Sequence, residues 1–306
     1  MKFFIITVDT EGDDLWHWKD GNEISTNNSV FIPRFQELCE KYKFKPTYLT
    51  NYEMANDFRW VEYAKKKLGN DLCEIGMHIH AWNSPPYFEL ENKFGGNAYI
   101  SEYPKEIVFQ KIITLKKLLN QRFETDIISC RSGRWATNND YFEALLKAGV
   151  IVDCSVTPGI DLSPLPGRSV QFGNNYSSSK ETTYEIYPGL LEVPMTTRKI
   201  RWISEGSIKH RAKSIIFGEE MWLRPHTKSL NYLKRITSQV EGKSEYLEFM
   251  IHSSELMPGG SPYFNNQEDI EMLFAVLDDY FNLITRNGYI GITLGNYARG
   301  VMNGTH

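Results

Sequence analysis

Short runs of apolar residues recur along the whole chain, and each has the length of a single β-strand. Eight runs are long enough to predict a strand. They lie at residues 2–8, 46–50, 73–79, 126–130, 150–154, 191–195, 247–251 and 289–293. Strands are therefore expected from one end of the chain to the other.

Between most of these runs, apolar residues recur three or four positions apart, which is the spacing along one face of an α-helix. Four segments show this pattern, at 31–38, 107–119, 142–146 and 270–281. Alternating strands and helices predict parallel strands joined by helical crossovers. With about eight strands, a closed (β/α) barrel of the α/β class fits better than an open sheet.

Residues 161–243 interrupt this alternation. Proline, glycine, serine and tyrosine are frequent there, most clearly at 164–167 and 176–179. Such a composition is typical of loops rather than of a second core. We expect one barrel domain over residues 1–306, with 161–243 as an insertion or lid.

Composition narrows the function classes. The chain has 306 residues, 41% of them hydrophobic, and a net charge of -4. This charge gives no reason to expect nucleic acid or an anionic membrane as the main partner. We find no apolar run of the roughly 18 residues that would cross a membrane, and we recognise no signal peptide. A cytoplasmic protein is expected, and its oligomeric state stays open.

The cysteines do not form a metal-binding pattern. The four of them are scattered, without a Cys-x-x-Cys pair, and three lie in or beside predicted strands. They are Cys39, Cys73, Cys130 and Cys154. We expect buried free thiols.

Polar residues with catalytic potential follow or end four of the apolar runs. They are Asp9 and Glu11 after the first run, His78 and His80 at the end of the third, Arg131 after the fourth and His252 after the seventh. The carboxyl ends of the strands of a (β/α) barrel meet at one face, where catalytic side chains lie. The four segments are therefore expected to form a single site.

The two histidines have a spacing that suits a metal ion. His78 and His80 are two residues apart, so in an extended strand both side chains point to the same side. Together with a carboxylate such as Glu11 they make a three-ligand site with an open position for water. Asp9 would remain available as a base. Alternatively, the acidic residues around Gly12 form a solvated loop, and the histidines bind no metal.

The order of these segments resembles the polysaccharide deacetylase family, also called the NodB-homology family or carbohydrate esterase family 4. The matching segments read Thr-Val-Asp-Thr-Glu, Glu-Ile-Gly-Met-His-Ile-His, Arg-Ser-Gly-Arg-Trp and Phe-Met-Ile-His. They are spread over nearly the whole chain. The resemblance implies a single distorted (β/α) barrel and an enzyme that hydrolyses the amide bond of an N-acetylated amino sugar.

The resemblance also implies roles for individual residues. Asp9 corresponds to the general base and Glu11 to a metal ligand, with Arg131 orienting the aspartate through a charge-assisted pair. His252 corresponds to the general acid that protonates the departing amine. One divalent metal ion, zinc in the first instance, is the implied cofactor.

The histidine motif departs from the family pattern. The family usually has two histidines four residues apart, and the position four after His78 is Trp82. On physical grounds His80 is the natural substitute as a ligand.

The arginine motif departs as well. Gly133, Arg134 and Trp135 stand where the family has a proline and a tyrosine, so the oxyanion donor is not assigned to one residue. Arg134, Trp135, Trp82 and Asp153 are expected to bind substrate. Other tryptophans in loops or beside motifs are further candidates for stacking on sugar rings. These are Trp16, Trp18, Trp202 and Trp222.

A carboxylate is also expected beside His252. In the family an aspartate on the strand after the arginine motif tunes this histidine. Asp153 and Asp161 both lie in the matching range, and the sequence does not choose between them.

The expected substrate is an N-acetylated amino sugar in a polysaccharide or glycan precursor. Because we recognise no leader, a cytoplasmic precursor, a sugar nucleotide or a lipid-linked saccharide fits better than mature cell wall. Two alternatives stay open. One is a metal-independent amidase or deformylase of the same fold, and the other is a carbohydrate-binding protein whose active site has decayed.

Overall fold

The computed structural model describes residues 1–13, 15–16, 18, 21–201, 207, 215, 218–225 and 229–305. Its main feature is a curled nine-stranded sheet, and a separate two-stranded sheet lies outside it. The strands are β1 Lys2–Thr10, β2 Thr47–Thr50, β3 Glu74–Ile79, β4 Ser129–Ser132, β5 Val152–Asp153, β6 Tyr184–Tyr187, β7 Leu190–Glu192, β8 Thr197–Ile200, β9 Glu219–Trp222, β10 Tyr246–His252 and β11 Tyr289–Gly291.

The main sheet has the order β10-β1-β2-β3-β4-β5-β7-β6, and β11 pairs with β1. All pairs are parallel except β6 with β7. Each of the eight predicted strands overlaps one of these strands. The prediction of an α/β fold with a distorted (β/α) barrel is therefore confirmed.

Seven α-helices lie within the described residues. They are α1 Ile32–Lys41, α2 Phe58–Gly69, α3 Lys105–Phe123, α4 Asn139–Lys147, α5 Leu230–Val240, α6 Gln267–Arg286 and α7 Leu294–Met302. The four predicted helical segments correspond to α1, α3, α4 and α6. Several helices begin at a side-chain cap. The Asp57 carboxylate, for example, accepts hydrogen bonds from the backbone N–H groups of Arg59 and Trp60 at the start of α2, which satisfies otherwise unpaired donors.

Strand β1 is buried on both faces. Phe4, Ile6 and Val8 belong to a large apolar cluster between the sheet and the helices. Phe3 and Ile5 belong to a smaller cluster inside the barrel. A strand covered on both sides reads as a continuous apolar run, which explains why the first segment was recognisable in the sequence.

The inner cluster is closed at one end by helix α7. Leu294, Tyr297 and Ala298 of this helix pack in the inner cluster. The backbone N–H of Leu294 donates to the hydroxyl of Thr47, the first residue of β2, at 2.9 Å. Because α7 covers the end at which the strands begin, the opposite end, where they finish, is left for a site.

Within the described residues, the sheet does not close into a continuous ladder between β7 and β10. Single hydrogen bonds span the gap: the N–H of Glu248 donates to the Thr196 hydroxyl at 2.9 Å, and the N–H of Met250 donates to the Leu223 carbonyl at 3.1 Å. This gap is the distortion of the barrel.

The range 161–243 is only partly an insertion. It contains β7, which pairs in parallel with β5 in the main sheet, and α5, which packs against α6. The two-stranded β8–β9 sheet and residues 161–183 lie outside the barrel. Barrel elements and loops therefore alternate within this range.

Two further expectations can be compared with the fold. All four cysteines are buried free thiols, as predicted, and burial raises the pKa of the Cys73 thiol to about 12. Among the described helices, we find none with the length and apolar character needed to span a bilayer.

Candidate active site

A cavity of about 280 Å³ opens at the carboxyl ends of the parallel strands. Five of the residues predicted to be catalytic or to bind metal line it, and Arg131, the sixth, lies beneath them, fully buried. The five are Asp9, Glu11, His78, His80 and His252. The structure thus brings together in one place side chains that are distant in the sequence.

The period of two residues along a strand places these side chains inside the barrel. In β3, Ile75, Met77 and Ile79 pack outward in the cluster beneath the helices. The alternate positions, which carry His78 and then His80, face inward. Both histidines accordingly point to the same side, as their spacing predicted.

Glu11 and the two histidines form a compact group of potential metal ligands. The Nε2 atom of His80 lies 3.0 Å from Glu11 Oε2, and the Nε2 atom of His78 lies 3.4 Å from the same oxygen. One ligand atom from each residue can be chosen so that all three lie within 4.8 Å of one another. Burial alone would raise the pKa of Glu11, but His252, His78 and His80 lower it overall, so this group is a carboxylate.

The hydrogen bonds of His78 test whether these residues fit a metal ion. Its Nδ1 atom lies 3.1 Å from the carbonyl oxygen of Arg131. A carbonyl only accepts, so Nδ1 carries a proton, and in the neutral ring Nε2 presents a lone pair toward Glu11. Two acceptors at 3.4 Å repel each other unless a cation or a proton lies between them. The donor set and this tautomer fit a divalent ion.

A proton would satisfy the same contact. Burial acts to lower the pKa of His78, but Asp9 and Glu11 raise it overall. This alternative corresponds to a site that works without a metal.

The His80 ring is packed on two sides. The Trp82 ring stacks on it, with centroids 4.3 Å apart and an interplanar angle of 18°. On another side lies Gly133, where an added Cβ would be 2.3 Å from His80 Cδ2. Among the described residues, no hydrogen-bond partner contacts His80 Nδ1. The position of His80 is therefore fixed by packing together with its Nε2 contact to Glu11, and that of His78 by the hydrogen bond of its Nδ1 atom.

Asp9 is held by Arg131. The Nη1 atom of Arg131 lies 2.6 Å from Asp9 Oδ1, and its Nη2 atom lies 2.6 Å from Glu248 Oε1. Nη2 also donates to the Thr7 hydroxyl at 2.8 Å. All four residues are buried, and removing one partner of such an ion pair costs about 3–5 kcal/mol. Arg131 therefore ties β1, β4 and β10 together below the cavity.

The second oxygen of Asp9 faces the cavity. Its Oδ2 atom lies 3.8 Å from His252 Nε2 and 3.9 Å from His78 Nε2. Burial alone would raise the pKa of Asp9, but Arg131, with help from the two histidines, lowers it. Asp9 is thus a carboxylate at neutral pH, with one oxygen fixed and one available.

His252 is bound to a carboxylate that follows it in the chain. Its Nδ1 atom lies 3.2 Å from Glu255 Oε2. Arg224 Nη2 donates to Glu255 Oε1 at 2.8 Å. Burial would raise the pKa of Glu255, but Arg224 and His252 lower it to about 2. Glu255 therefore orients the imidazole and leaves its Nε2 atom facing the cavity.

The structure does not bring Asp153 or Asp161 to His252, so the expected aspartate partner is replaced by Glu255. Asp153 is fully buried and accepts hydrogen bonds from the Tyr141 hydroxyl at 2.8 Å and from the Ser155 hydroxyl at 3.0 Å. Val152 and Cys154 face the barrel interior, so the alternation turns Asp153 outward. Asp161 is exposed. Asp153 is accordingly absent from the cavity wall, where it was expected to bind substrate.

The three other predicted substrate-binding residues do line the cavity: Trp82, Arg134 and Trp135. The Arg134 guanidinium donates to the carbonyls of Asn97 and Pro166, so it anchors two loops as well. Arg134 and Trp135 both have positive φ, at 56° and 58°. Left-handed backbone costs about 1–2 kcal/mol per non-glycine residue, and such strain concentrates at functional sites.

Other tryptophans surround the same cavity. The Trp16 ring contacts His252 edge-on, with centroids 4.9 Å apart. Trp222 packs 5.3 Å from Trp135, and the Arg131 guanidinium lies over Trp135 at 4.9 Å. Trp202 lies outside the described residues.

Three residues of the site were not found from the sequence. Glu248 faces inward from β10, Glu255 follows His252 by three positions, and Arg224 comes from the loop after β9. The His-x-x-Glu spacing after a strand is a signal for Glu255 that was available. Nothing in the local pattern marks Arg224, because its role depends on tertiary contacts.

Comparisons with known proteins identify the fold. No protein-family model matches the sequence, and no curated protein matches it. Among solved structures, a protein assigned as a polysaccharide deacetylase from Mycobacterium smegmatis is similar with a TM-score of 0.58 and 11% identity, over 99% of this chain and 91% of that one.

Two further structures are comparably similar. The allantoinase PuuE has a TM-score of 0.56 and 10% identity, over 97% of this chain and 88% of its own. A GH57 branching enzyme from Thermococcus kodakaraensis has a TM-score of 0.56 and 9% identity, over 97% of this chain and 71% of its own. At these identities the comparisons establish the fold, and the predicted resemblance to polysaccharide deacetylases is confirmed at that level.

Proposed function

We propose that this chain is a metal-dependent hydrolase that removes the N-acetyl group from an amino sugar. The observation that carries the proposal is the convergence of a Glu-His-His group with a held aspartate and an oriented histidine in one cavity. A metal ligand set, a base and an acid are the three parts that metal-assisted amide hydrolysis requires.

Glu11, His78 and His80 would hold one divalent ion. A carboxylate with two imidazoles suits zinc, and leaves an open position. When bound, the ion supplies Lewis-acid chemistry, which lowers the pKa of water and polarises an acyl oxygen.

Asp9 acts as the general base. Its Oδ1 atom is fixed by Arg131 at 2.6 Å, and its Oδ2 atom faces the cavity. The free oxygen takes a proton from the water that attacks the acyl carbon. Arg131 keeps this carboxylate ionised between turnovers.

His252 acts as the general acid on the other side of the cavity. Glu255 holds the Nδ1 side of its ring, so Nε2 delivers the proton to the nitrogen as the C–N bond breaks. Water and the amide are consumed, and acetate and the free amine are formed.

The sugar part of the substrate is proposed from the aromatic walls. The rings of Trp16, Trp82 and Trp135 line the cavity, and flat indole faces pack well against the apolar faces of sugar rings. A cytoplasmic location, a glycan precursor and lipid linkage stay predictions from the sequence.

A metal-free amidase or deformylase is the second candidate. It is favoured by the contact of His78 with Glu11, which a proton also satisfies, and one structural neighbour is an allantoinase. A binding protein with a decayed site is less well supported, because ligand binding alone does not need the Asp9–Arg131 pair or the His252–Glu255 pair.

Acetate release tests the proposal. The purified protein, loaded with zinc, is assayed on N-acetylglucosamine and its β-1,4-linked dimer and trimer, before and after chelation. We expect release that stops on chelation and falls about 10²–10⁴-fold in His252→Ala. Phe172→Ala, an exposed aromatic outside the cavity, serves as the control. Release that survives chelation would favour the metal-free amidase, and no release from any of these sugars would contradict the proposal.

A further inference from the structure

Three arginines lie at the catalytic cavity, and two of them are paired with carboxylates. Arg131 Nη1 lies 2.6 Å from Asp9 Oδ1. Arg224 Nη2 lies 2.8 Å from Glu255 Oε1. The third, Arg134, lines the cavity, and among the described residues its guanidinium contacts carbonyl groups rather than a carboxylate. Charged groups withdrawn from water are normally paired, so Arg134 is a cation in search of a counter-ion.

The carboxylate of Glu102 influences Arg134, but its hydrogen-bonding positions are already occupied. Its Oε1 atom accepts from the backbone N–H groups of Tyr99 at 2.6 Å and Arg168 at 3.1 Å. Its Oε2 atom accepts from the backbone N–H and the hydroxyl of Ser169 at 2.5 and 2.7 Å. A carboxylate has about four acceptor positions, so Glu102 is saturated. Burial accordingly lowers the pKa of Arg134, and Tyr99 and Glu102 do not offset it.

The acidic residues of the cavity wall are also committed elsewhere. Asp9 is held by Arg131 at 2.6 Å, and Glu11 lies 3.0 Å from His80. Both carboxylates belong to the catalytic group. The negative charge that complements Arg134 must therefore come from a bound molecule.

The guanidinium of Arg134 is held in one orientation. It donates to the carbonyls of Asn97 and Pro166, the second at 3.0 Å. Its central carbon lies 4.1 Å from the centre of the Tyr99 ring. A guanidinium has five N–H groups in a rigid fork, and these two hydrogen bonds use only part of it. The remaining N–H groups are positioned for a ligand, which lowers the entropy cost of binding.

The contacts of Arg134 place it beside the sugar part of the substrate rather than the acetyl group. The preceding residue, Gly133, packs against His80, where an added Cβ would be 2.3 Å from His80 Cδ2. The guanidinium instead contacts Asn97 and Pro166, in the loops after β3 and β5. The acetyl group has to lie at the metal ligands for hydrolysis, so a group bound by Arg134 is a substituent of the sugar.

We infer that Arg134 binds a negatively charged group of the substrate, so the substrate is an N-acetylated amino sugar that carries a carboxylate or a phosphate. The inference rests on the proposed function, because the position of the acetyl group determines which part of the sugar faces Arg134. A guanidinium binds either oxyanion through two parallel hydrogen bonds. Carboxylate and phosphate therefore share the same recognition chemistry, and the choice between them is experimental.

Discrimination between neutral and acidic sugars tests the inference. The kcat/KM of acetate release by the zinc-loaded protein is measured for N-acetylglucosamine, its 1-phosphate, its 6-phosphate and the acid formed by oxidation of its C6 carbon. We expect at least one acidic sugar to be preferred over the neutral one by about tenfold to a hundredfold, as a charge-assisted hydrogen bond predicts. Preference for the C6 acid would identify a carboxylate, and preference for either phosphate would identify a phosphorylated sugar.

Two variants of Arg134 and a control assign this preference. Arg134→Gln should lower kcat/KM for the preferred acidic sugar by about tenfold to a hundredfold, and by a smaller factor for N-acetylglucosamine. Arg134→Lys keeps the charge and should restore part of the preference. Arg286→Gln removes the same charge from an exposed position in the last turn of α6, outside the cavity, and should behave like the wild type.

Two kinetic results would overturn the inference. One is equal kcat/KM for the neutral and the acidic sugars in the wild type. The other is an equal loss for all four sugars in Arg134→Gln, since the side chain would then only anchor the loops or act on the acyl oxygen.

Binding of the same sugars, measured by calorimetry, separates this inference from the proposed function. If no sugar releases acetate, but an acidic sugar binds more tightly than N-acetylglucosamine and Arg134→Gln abolishes the difference, the proposed hydrolysis fails and the anion site stands. If the acidic sugars bind no more tightly than the neutral one, or do not bind, the anion site fails.

Discussion

The backbone N–H and the imidazole Nδ1 of His252 both contact the same oxygen, Oε2 of Glu255, at 2.8 and 3.2 Å. The other oxygen of Glu255 accepts from Arg224. One carboxylate therefore fixes the end of β10 and the orientation of the histidine ring together. A partner three residues along the chain replaces the aspartate expected from a neighbouring strand.

Replacing Glu255 by glutamine should impair proton transfer to the departing nitrogen. The amide keeps the shape of the side chain but removes the negative charge beside the Nδ1 side of the His252 ring. We expect Glu255→Gln to lower kcat for acetate release by at least about tenfold, within the 10²–10⁴-fold that a general acid supplies. Glu271→Gln, on an exposed pair with Arg34, is the matched control. An unchanged kcat in Glu255→Gln would exclude the proposed role.

Metal content should depend on three residues. We expect about one zinc ion per chain after dialysis against zinc, because Glu11, His78 and His80 form the one set of three potential ligands found among the described residues. Single alanine variants of Glu11, His78 and His80 should each lose it, as measured by mass spectrometry of the metal. Asp161→Asn, an exposed carboxylate outside the cavity, should retain it. Wild-type protein that holds no zinc after this dialysis would contradict the metal-dependent mechanism.

A methyl group at Gly133 should displace His80. The added Cβ would lie 2.3 Å from His80 Cδ2 and 2.9 Å from the Ile79 carbonyl oxygen. Since packing against Gly133 helps to fix His80, we expect Gly133→Ala to weaken zinc binding by about tenfold to a hundredfold, comparable to the loss of an outer-shell contact. The measurement is competition with a zinc chelator, with circular dichroism to check folding.

Gly69→Ala is the control for Gly133→Ala. Gly69 ends α2, and an added Cβ there meets nothing within 4 Å. Equal zinc affinity in the two variants would show that contact with Gly133 does not position His80.

The free energy of unfolding should depend on pH because of a buried pair of carboxyl groups. Asp153 and Glu192 are neighbours on β5 and β7 and are fully buried. Burial raises the pKa of both groups, and each affects the other. The folded state therefore holds a proton that the unfolded state releases above its ordinary carboxyl pKa near 4. The contribution of the pair to stability is present below that pH and is lost as the pH rises through the folded pKa values.

Glu192→Gln isolates this effect. We expect the free energy of unfolding of the variant, relative to the wild type, to increase from pH 5 to pH 8, because one ionising group has been removed from the interior. Urea unfolding at both pH values measures it, and taking the difference between the two proteins cancels the other titrating groups. If the difference in the free energy of unfolding between the two proteins does not change with pH, the carboxyl pair does not hold the proton in the folded state.

The sequence predicted the elements whose burial is two-sided or strongly periodic. Strands such as β1 were recognisable because parallel strands covered on both faces are continuously apolar, whereas β11, in which Ile290 is exposed, was recognisable from its apolar residues alone. Helix α2 was not predicted, because its buried face consists of Trp60, Val61 and Ala64 among many charged residues. Helix α7 was not predicted either, because it contains two buried glycines, Gly295 and Gly300, and glycine is unfavourable in a helix.

Site residues at the carboxyl ends of strands could be predicted from the sequence. Site residues that are positioned by tertiary contacts could not. The residues around the Glu-His-His group could be found because they end strands. The expected role of Asp153 was wrong in its geometry, since Val152 and Cys154 face inward and turn Asp153 away. Arg224 lies beside His252 in the loop after β9. This loop is positioned by tertiary contacts across the gap in the barrel, such as the hydrogen bond from Met250 to Leu223.

The alternation in β3 has a consequence for folding fidelity. Its outward residues, Ile75, Met77 and Ile79, pack in the hydrophobic core, while His78 faces inward and His80, just after the strand, lies on the same side. A pairing error of one residue would exchange the two sets and bury the imidazoles beneath the helices. The chemistry and the core are thus encoded together in β3 and the residue that follows it, and selection for correct register serves both.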